Sequence, residues 1–387
     1  MPPPPIPKAA IEAANKKKRA SLTPSTAPTP PSPLPTPANP PVPPASHEDK
    51  CAAGTDQQGE AEGCKDCPNK ETCKANKPDP AAKKLESEAV LACMENVQRK
   101  VLVLSGKGGV GKSTVTCQLA YELASRGLQV GVLDVDICGP SAPTMFGVKD
   151  RQIHHSRSGW SPVYVSEGLS VVSTAFMLEG GDEAVIWRGP RKNGLIKQFL
   201  TQVDWGSLDY LLVDTPPGTS DEHISTVQYL RADGNGVDGA IVVTTPEEVS
   251  MADVRKELSF CKKVKCDVIG VVENMSQFKS GVDKLGFKNK DGEDVSEKVK
   301  DILEKEFGAG LTITANVFPP SGSGVVGMCE KFNVPYMTKL PLDPNLLECC
   351  ENGEGFTEKY GEGGESEEAV KAIKAIADEL VRKLPTS

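Results

Sequence analysis

Nowhere in the 387 residues do 18 apolar side chains follow one another, so no segment is expected to cross a membrane as a helix. An excess of positive charge is missing too. The formal net charge of −9 argues against non-specific binding to nucleic acid. The opening residues, Met1-Pro2-Pro3-Pro4-Pro5, contain no apolar core of the kind a secretory signal needs. The twelve cysteines are therefore expected to be reduced thiols, metal ligands or core residues rather than disulfides. Residues 1–50 lack aliphatic periodicity and are rich in Pro, Ser, Thr and Ala. Such a stretch cannot bury enough apolar surface to offset the entropy of ordering, and it reads as a disordered Pro-rich arm. It also explains why only 38% of the chain is hydrophobic, since the remainder can fill a normal core. The basic run Lys16-Lys17-Lys18-Arg19 reads as a solvated charge cluster. No internal repeat is evident.

What is present centres on Val101-Leu102-Val103-Leu104 followed by Ser105-Gly106-Lys107-Gly108-Gly109-Val110-Gly111-Lys112-Ser113-Thr114. A buried strand runs through a glycine-rich loop into a helix, and Gly106 to Ser113 fits G-x-x-x-x-G-K-[ST]. Glycine lets the backbone wrap a phosphate that a Cβ would obstruct, and the loop N–H groups with the helix N-terminus face the anion. Lys112 is expected on the β- and γ-phosphates of ATP, and Ser113 on Mg²⁺.

Three acids stand where such a site needs them. The strand Val130 to Leu133 ends in Asp134-Val135-Asp136, which puts two carboxylates on one face at the ligand-binding edge of an α/β sheet. Tyr210-Leu211-Leu212-Val213-Asp214, followed by Thr215-Pro216-Pro217-Gly218, is a buried strand ending in a metal-binding acid and a turn able to sense the γ-phosphate. Further βα units follow: a strand over 239–245, a helix over 247–263 and a strand over 268–273. Helices are also expected over 81–98, 112–126, 187–202 and 366–384, with a hairpin within 151–178. Residues 277–318 form a polar insert with a further helix near 295–307. The expected fold is α/β, a doubly wound, mostly parallel P-loop sheet flanked by helices. The domains are then an arm over 1–50, a Cys₄ segment over 51–80, the ATPase domain over 81–365 and a C-terminal helix over 366–387.

Cys51, Cys64, Cys67 and Cys73 are spaced C-x12-C-x2-C-x5-C. A C-x-x-C pair on a turn lets two thiolates bite one centre, and the flanking cysteines close a four-thiolate site. Spacing alone leaves zinc as a competitor to an iron–sulfur cluster. A redox C-x-x-C is weaker, because no thioredoxin-like strand precedes it. His154 and His155 have no ligand-spaced partners and read as surface residues.

The second lysine, Lys107, makes the loop a deviant Walker A. The stretch G-K-G-G-V-G-K-S-T resembles the Mrp/NBP ATPases of the MinD/ParA/ArsA class. Joined to the Cys₄ segment, it is similar to the nucleotide-binding scaffolds of cytosolic iron–sulfur cluster assembly. The resemblance implies that Lys107 crosses a dimer interface to the partner's ATP, and that Gly106, Gly108, Gly109, Val110, Gly111 and Thr114 line the phosphates. It further implies that Asp134 supports the Mg²⁺ shell, Asp136 orients the attacking water, and Asn274 with the loop 340–344 reads the adenine. Cys51, Cys64, Cys67 and Cys73 then hold a [4Fe–4S] cluster. Implied partners are a second copy or a shorter paralogous scaffold, cluster carriers and apo-proteins, with no nucleic acid or membrane, in the cytoplasm.

The chain departs from the pattern in three places, the first being the long Pro-rich arm before Cys51. The first cysteine spacer is one residue shorter than usual, and the C-P-x-C pair that bridges two subunits through a labile cluster is absent. No cysteine lies between Cys266 and Cys329, so any second cluster is expected to depend on Cys329, itself a candidate core residue. Cys349 and Cys350 are adjacent and expected to diverge. The alternative from another class is a MinD/ParA-like nucleotide switch carrying a structural zinc in the Cys₄ segment.

Overall fold

The computed structural model describes residues 60, 65, 67, 70–75, 80–137, 139–155, 159–177, 189–219, 221–231, 236–318, 322–361 and 363–386. The Pro-rich arm, Cys51, Cys64, Cys138, Trp187 and Arg188 lie outside them, as does the side chain of Cys73. The chain divides into two compact units, Met1–Lys77 and Pro78–Ser387. In the first, α1 (Lys70–Ala75) starts where the Lys70 N–H donates to the Cys67 carbonyl at 3.1 Å.

The second unit opens with α2 (Pro80–Met94) and β1 (Val97–Ser105). The helix expected to reach Gln98 therefore stops earlier. Val97 pairs with Leu208 of β7 (Leu208–Asp214), so the strand claims Val97 and Gln98, two residues that helical periodicity had assigned to α2. Next come α3 (Lys112–Ser125), β2 (Val130–Asp134) and the short α4 (Ala142–Met145). The expected hairpin is β5 (Val163–Ser166) with β6 (Leu169–Ser173), preceded by a two-residue pair, β3 (His154–His155) and β4 (Trp160–Ser161). Then follow α5 (Gly189–Gln202), β7, α6 (Asp221–Arg231), β8 (Gly239–Thr244), α7 (Glu248–Lys263) and β9 (Val268–Gly281). The chain closes with α8 (Ser296–Phe307), β10 (Thr312–Ala315), α9 (Gly324–Phe332), β11 (Tyr336–Leu342), α10 (Pro344–Asn352), α11 (Phe356–Tyr360) and α12 (Glu367–Lys383).

The strands form one sheet in the order β10-β9-β8-β1-β7-β2-β6-β5, with β11 also on β9. Within this sheet, among the described residues, only β10 and β5 run antiparallel to their neighbours. The inner strands are buried on both faces, which their unbroken Val/Leu/Ile runs require of a parallel sheet covered by helices. Order reverses around β1, so the P-loop opens from the central strand at a topological switch point. In the C-terminal helix, Val370, Ile373, Ile376 and Leu380 are fully buried, as their spacing predicts. No described helix is long and apolar enough to cross a membrane.

The polar insert is more ordered than its composition suggests. β9 continues past Glu273 to Gly281 because β10 pairs with its outer half, from Thr312 opposite Gly281 to Ala315 opposite Phe278. Where the family pattern would place C-P-x-C, this segment is fastened to the C-terminal part of the chain. Lys279 pairs with Glu368 at 3.2 Å, and Lys284 with Glu365 at 2.6 Å. Asn345, whose amide donates to Glu365 and Ser366, also accepts from Lys284 at 2.8 Å.

One buried charge works against the fold. Glu257 of α7 is fully buried, and neither carboxylate oxygen has a hydrogen-bond partner. Burial, reinforced by the charge of Asp253 one turn earlier, pushes its carboxyl up from 4.5 to about 7. Such a group holds its proton more tightly folded than unfolded. Its cost is therefore absent below pH 4.5, grows as pH rises to about 7, and is constant beyond. Glu257→Gln is expected to raise stability by about 2 kcal/mol at pH 8 and to be nearly neutral at pH 4. Urea melts at the two pH values check this, and an equal effect at both would contradict it.

Candidate nucleotide site

The loop leaving β1 is shaped by two glycines. A Cβ on Gly106 would lie 2.5 Å from the backbone carbonyl carbon of Asp253, so only glycine lets α7 pack this closely under the loop. Gly111 adopts φ 83° at the start of α3, and a Cβ there would fall 2.1 Å from the side-chain nitrogen of Asn274. The loop then delivers the first turn of α3 onto the tip of β7.

There, Asp214 gathers three donors. Its Oδ1 accepts from Lys112 Nζ at 2.6 Å and Thr116 Oγ1 at 2.9 Å, and its Oδ2 accepts from Ser113 Oγ at 2.6 Å. Lys112 and Asp214 are both nearly inaccessible, so this is a buried, hydrogen-bonded ion pair. Thr116 was not singled out from the sequence. It sits one turn beyond Lys112, whose carbonyl also accepts its hydroxyl at 3.0 Å, and the i, i+4 spacing was the available signal.

Asp134 stands beside Asp214 in register across β2 and β7. It is fully buried, accepting from Ser173 Oγ at 2.9 Å, the Asp136 N–H at 3.1 Å and the Ala142 N–H at 3.4 Å. Burial pushes its carboxyl up to about 7, and the neighbouring Asp214 charge adds to this. The Lys112 ammonium opposes both. Asp136 is half-buried on the following turn, with Oδ1 accepting from the Gly139 N–H at 3.3 Å. Ser173, like Thr116, was missed: nothing local in the sequence points a β6 serine at a β2 aspartate.

The turn after Asp214 is tied to the P-loop strand. Thr215 Oγ1 donates to the Val103 carbonyl at 2.8 Å, and the Gly218 N–H donates to the Ser105 carbonyl at 2.8 Å. A change at the γ-phosphate end of the loop therefore has a direct route into residues 215–218.

The two lysines of the loop are treated oppositely. Lys112 is buried against Asp214, while Lys107 is half-exposed and, among the described residues, pairs with Glu247 alone, at 3.8 Å. An exposed pair at that distance contributes little, at most about 1 kcal/mol. Lys107 is thus not committed to its own chain's buried acids.

Asn274, expected at the base, is buried and donates to the Val110 carbonyl at 2.8 Å, so in this structure its amide holds the P-loop. Leu340 of β11 pairs with it in register, which brings both segments of the expected base site together. Asp343 caps α10 by accepting from the Asn345 N–H at 2.9 Å. Met275 has φ 53°, a left-handed conformation rare for its residue type, and it marks the irregularity in β9 beside Asn274.

Of the four candidate metal thiols, Cys67 is described and half-buried, and the side chains of Cys51, Cys64 and Cys73 lie outside the described residues. Cys329 is buried in α9, its thiol pushed up to about 11 chiefly by burial, which makes it part of the core.

Buried Lys112 and half-buried Ser113 at the end of a switch-point loop, meeting buried Asp214 at the tip of β7, define a P-loop nucleotide-binding protein. Comparison with known proteins narrows this. Residues 96–307 match the family described as ParA, the NUBPL iron-transfer P-loop NTPases. A nucleotide-binding protein from Archaeoglobus fulgidus, solved in complex with ADP, is 31% identical, covering 72% of this chain and 95% of its own, with a TM-score of 0.52. The septum site-determining protein MinD from Pyrococcus horikoshii, complexed with Mg-ADP, is 20% identical over 73% of this chain and 95% of its own, with a TM-score of 0.47. This chain belongs to the NUBPL-type family of iron-transfer P-loop NTPases.

Proposed function

We propose that this protein is an ATP-dependent scaffold that assembles [4Fe–4S] clusters and passes them to apo-proteins of the cytosol and nucleus. The observation that carries the reading is the Asp214 hub. Three donors from one helical turn meet one buried carboxylate, with Asp134 alongside and Lys107 left outside.

The donor set fits Mg·ATP. Ser113 and Asp214 are the hard oxygen ligands that would hold Mg²⁺, with Asp134 behind them, and the ion would neutralise charge on the phosphates. Lys112 supplies the buried cation for the β- and γ-phosphates, and the loop N–H groups from Gly106 to Thr114 supply the remaining donors. Asp136 lies at the carboxyl edge, where it orients water. Lys107 adds its charge to the nucleotide of a second copy, so hydrolysis by one chain alone is slow. Closure around ATP and reopening after hydrolysis then control when the cluster, the protein's cargo, is loaded or released. The partners of this cycle are a second copy or a shorter paralogous scaffold, followed by cluster carriers.

Cys51, Cys64, Cys67 and Cys73 are assigned to the cluster on spacing and family membership. Anaerobic purification with iron, sulfide and zinc assays tests this. The expected result is iron and sulfide in near-equal amounts, lost when all four cysteines become alanine, with ATP binding retained. Stoichiometric zinc without sulfide would sink the scaffold reading and favour a nucleotide switch with a structural metal.

A further inference from the structure

Residues 302–317 hold an apolar surface that no described part of the chain covers. Twelve large hydrophobic side chains are exposed among the described residues, and five of them fall here: Ile302, Phe307, Leu311, Ile313 and Val317. Phe307 is 70% exposed. Such clustering differs from the single apolar residues that any surface carries. From Leu311 to Ala315 apolar and polar residues alternate, with Leu311, Ile313 and Ala315 on one face and Thr312 and Thr314 on the other. That alternation belongs to a strand with one buried face, yet all four residues of β10 are exposed. The helix before it repeats the mismatch. In α8, Val299, Ile302, Leu303 and Phe307 form a stripe at helical spacing, and no residue of the helix is buried.

The edge of β10 is as unprotected as its face. The strand ends the sheet order, with no described strand on its outer side. Leu311 turns its carbonyl inward, accepting from the Val282 N–H at 3.0 Å, and Ile313 and Ala315 follow it by the two-residue period. Thr312 and Thr314 therefore point their N–H and C=O groups outward. Edge strands are normally blunted by lysine, proline or a bulge, and Thr312-Ile313-Thr314-Ala315 has none of these. Residues 311–317 carry no charge, and 296–310 carry three lysines and four acids, so nothing here selects a strongly charged partner. An antiparallel edge is its own complement, since a second copy turned by a two-fold axis offers each N–H a C=O. The edge also stands on the nucleotide side of the sheet. Ser105 of β1 is level with Val243 of β8, and Thr244 with Glu273 of β9. Past Glu273, β9 runs on to Gly281, about 25 Å beyond the level at which the P-loop leaves β1.

We propose that two copies of this chain associate through β10, edge to edge and antiparallel, about a two-fold axis at Ile313. In that register Thr312 of one copy lies opposite Thr314 of the other, and each such pair exchanges two backbone hydrogen bonds. A shift of two residues either way would take one threonine of each strand out of the pairing. Ile313 meets its own counterpart at the non-hydrogen-bonded position, where side chains approach most closely. The two sheets become one, and the Leu311, Ile313 and Ala315 faces join into a single apolar strip. The proposal rests on the reading that two copies share each nucleotide site, and it supplies a tether that holds them while the nucleotide faces open.

Sedimentation of the full-length protein without nucleotide tests this. Wild type is expected to be a dimer at micromolar concentration. Ile313→Lys sets two like charges side by side at the two-fold and should weaken the dimer at least about tenfold. Thr314→Pro removes an outward N–H that β9 does not use, so it should break the dimer and leave the melting temperature nearly unchanged. Ile313→Cys should form a disulfide with its own counterpart under mild oxidation, mapped by mass spectrometry. Tyr164→Cys, exposed on β5 at the other end of the sheet, should not. A nucleotide-free monomer, including one that captures a strand of another protein instead, overturns the inference. So does a dimer that persists in both Ile313→Lys and Thr314→Pro, or the absence of the Ile313→Cys disulfide. The reading beneath it is judged apart. Lys107→Ala leaves β10 intact and should stay dimeric, so unchanged hydrolysis in that variant would refute the shared nucleotide site while the β10 dimer stands.

Discussion

Replacing Lys112 by alanine is expected to lower ATP affinity by more than about 100-fold, because the substitution removes the one cation buried at the phosphate end of the loop. The same change should cost about 3–5 kcal/mol of stability, because it leaves the Asp214 carboxylate buried without its counter-charge. The two effects separate in a double variant. Lys112→Met with Asp214→Asn removes both charges from one buried site, and replacing a whole buried pair is far less costly than breaking it. Most of the lost stability should return while ATP binding does not. Thermal melts and nucleotide titrations of the three proteins check this. Full stability in the single variant would mean that the ion pair is not the contact the site is built around.

Lys107→Ala should behave in the opposite way. Among the described residues Lys107 pairs only with the half-exposed Glu247, so its loss should leave stability within about 0.5 kcal/mol and ATP affinity nearly intact. Hydrolysis should fall by about 10³–10⁵-fold if its charge is delivered to the nucleotide of a second chain, as a finger supplied in trans is. If Asp136 orients the attacking water and two chains share each site, as proposed, mixing Lys107→Ala with Asp136→Asn should restore activity, since each variant would lack a different half of the site. Equal loss of affinity in Lys107→Ala and Lys112→Ala, or no recovery on mixing, would refute the in-trans role.

The contrast between these lysines was legible in the sequence because the P-loop is a local motif whose spacing fixes its geometry. The same is true of Asp214, announced by four apolar residues and a Thr-Pro-Pro-Gly turn. Ser173 was not legible, and Thr116 only through its i, i+4 spacing from Lys112. Thr116 meets Asp214 across 98 positions and Ser173 meets Asp134 across 39, and both contacts depend on strand order, which no local pattern encodes. The end of β9 was misplaced for a related reason. Gln277 to Gly281 look like loop until β10 supplies hydrogen-bond partners from beyond an intervening helix. The start of β1 was misjudged because Val97 offers one apolar residue to a strand and also completes a helical stripe; pairing with Leu208 decides for the strand.

The latch between the polar insert and the C-terminal region has a consequence for how the molecule breathes. The central strands are held by buried apolar side chains and parallel ladders, which salt does not screen. The outer half of β9 is held to Glu368 through Lys279, and the turn after it to Glu365 through Lys284, by ion pairs whose partners are partly exposed, and β10 is exposed throughout. Such pairs weaken as the Debye length shrinks, to about 3 Å at 1 M salt. The edge of the sheet is therefore expected to loosen as ionic strength rises, with amide protons there exchanging through local opening before those of the central strands.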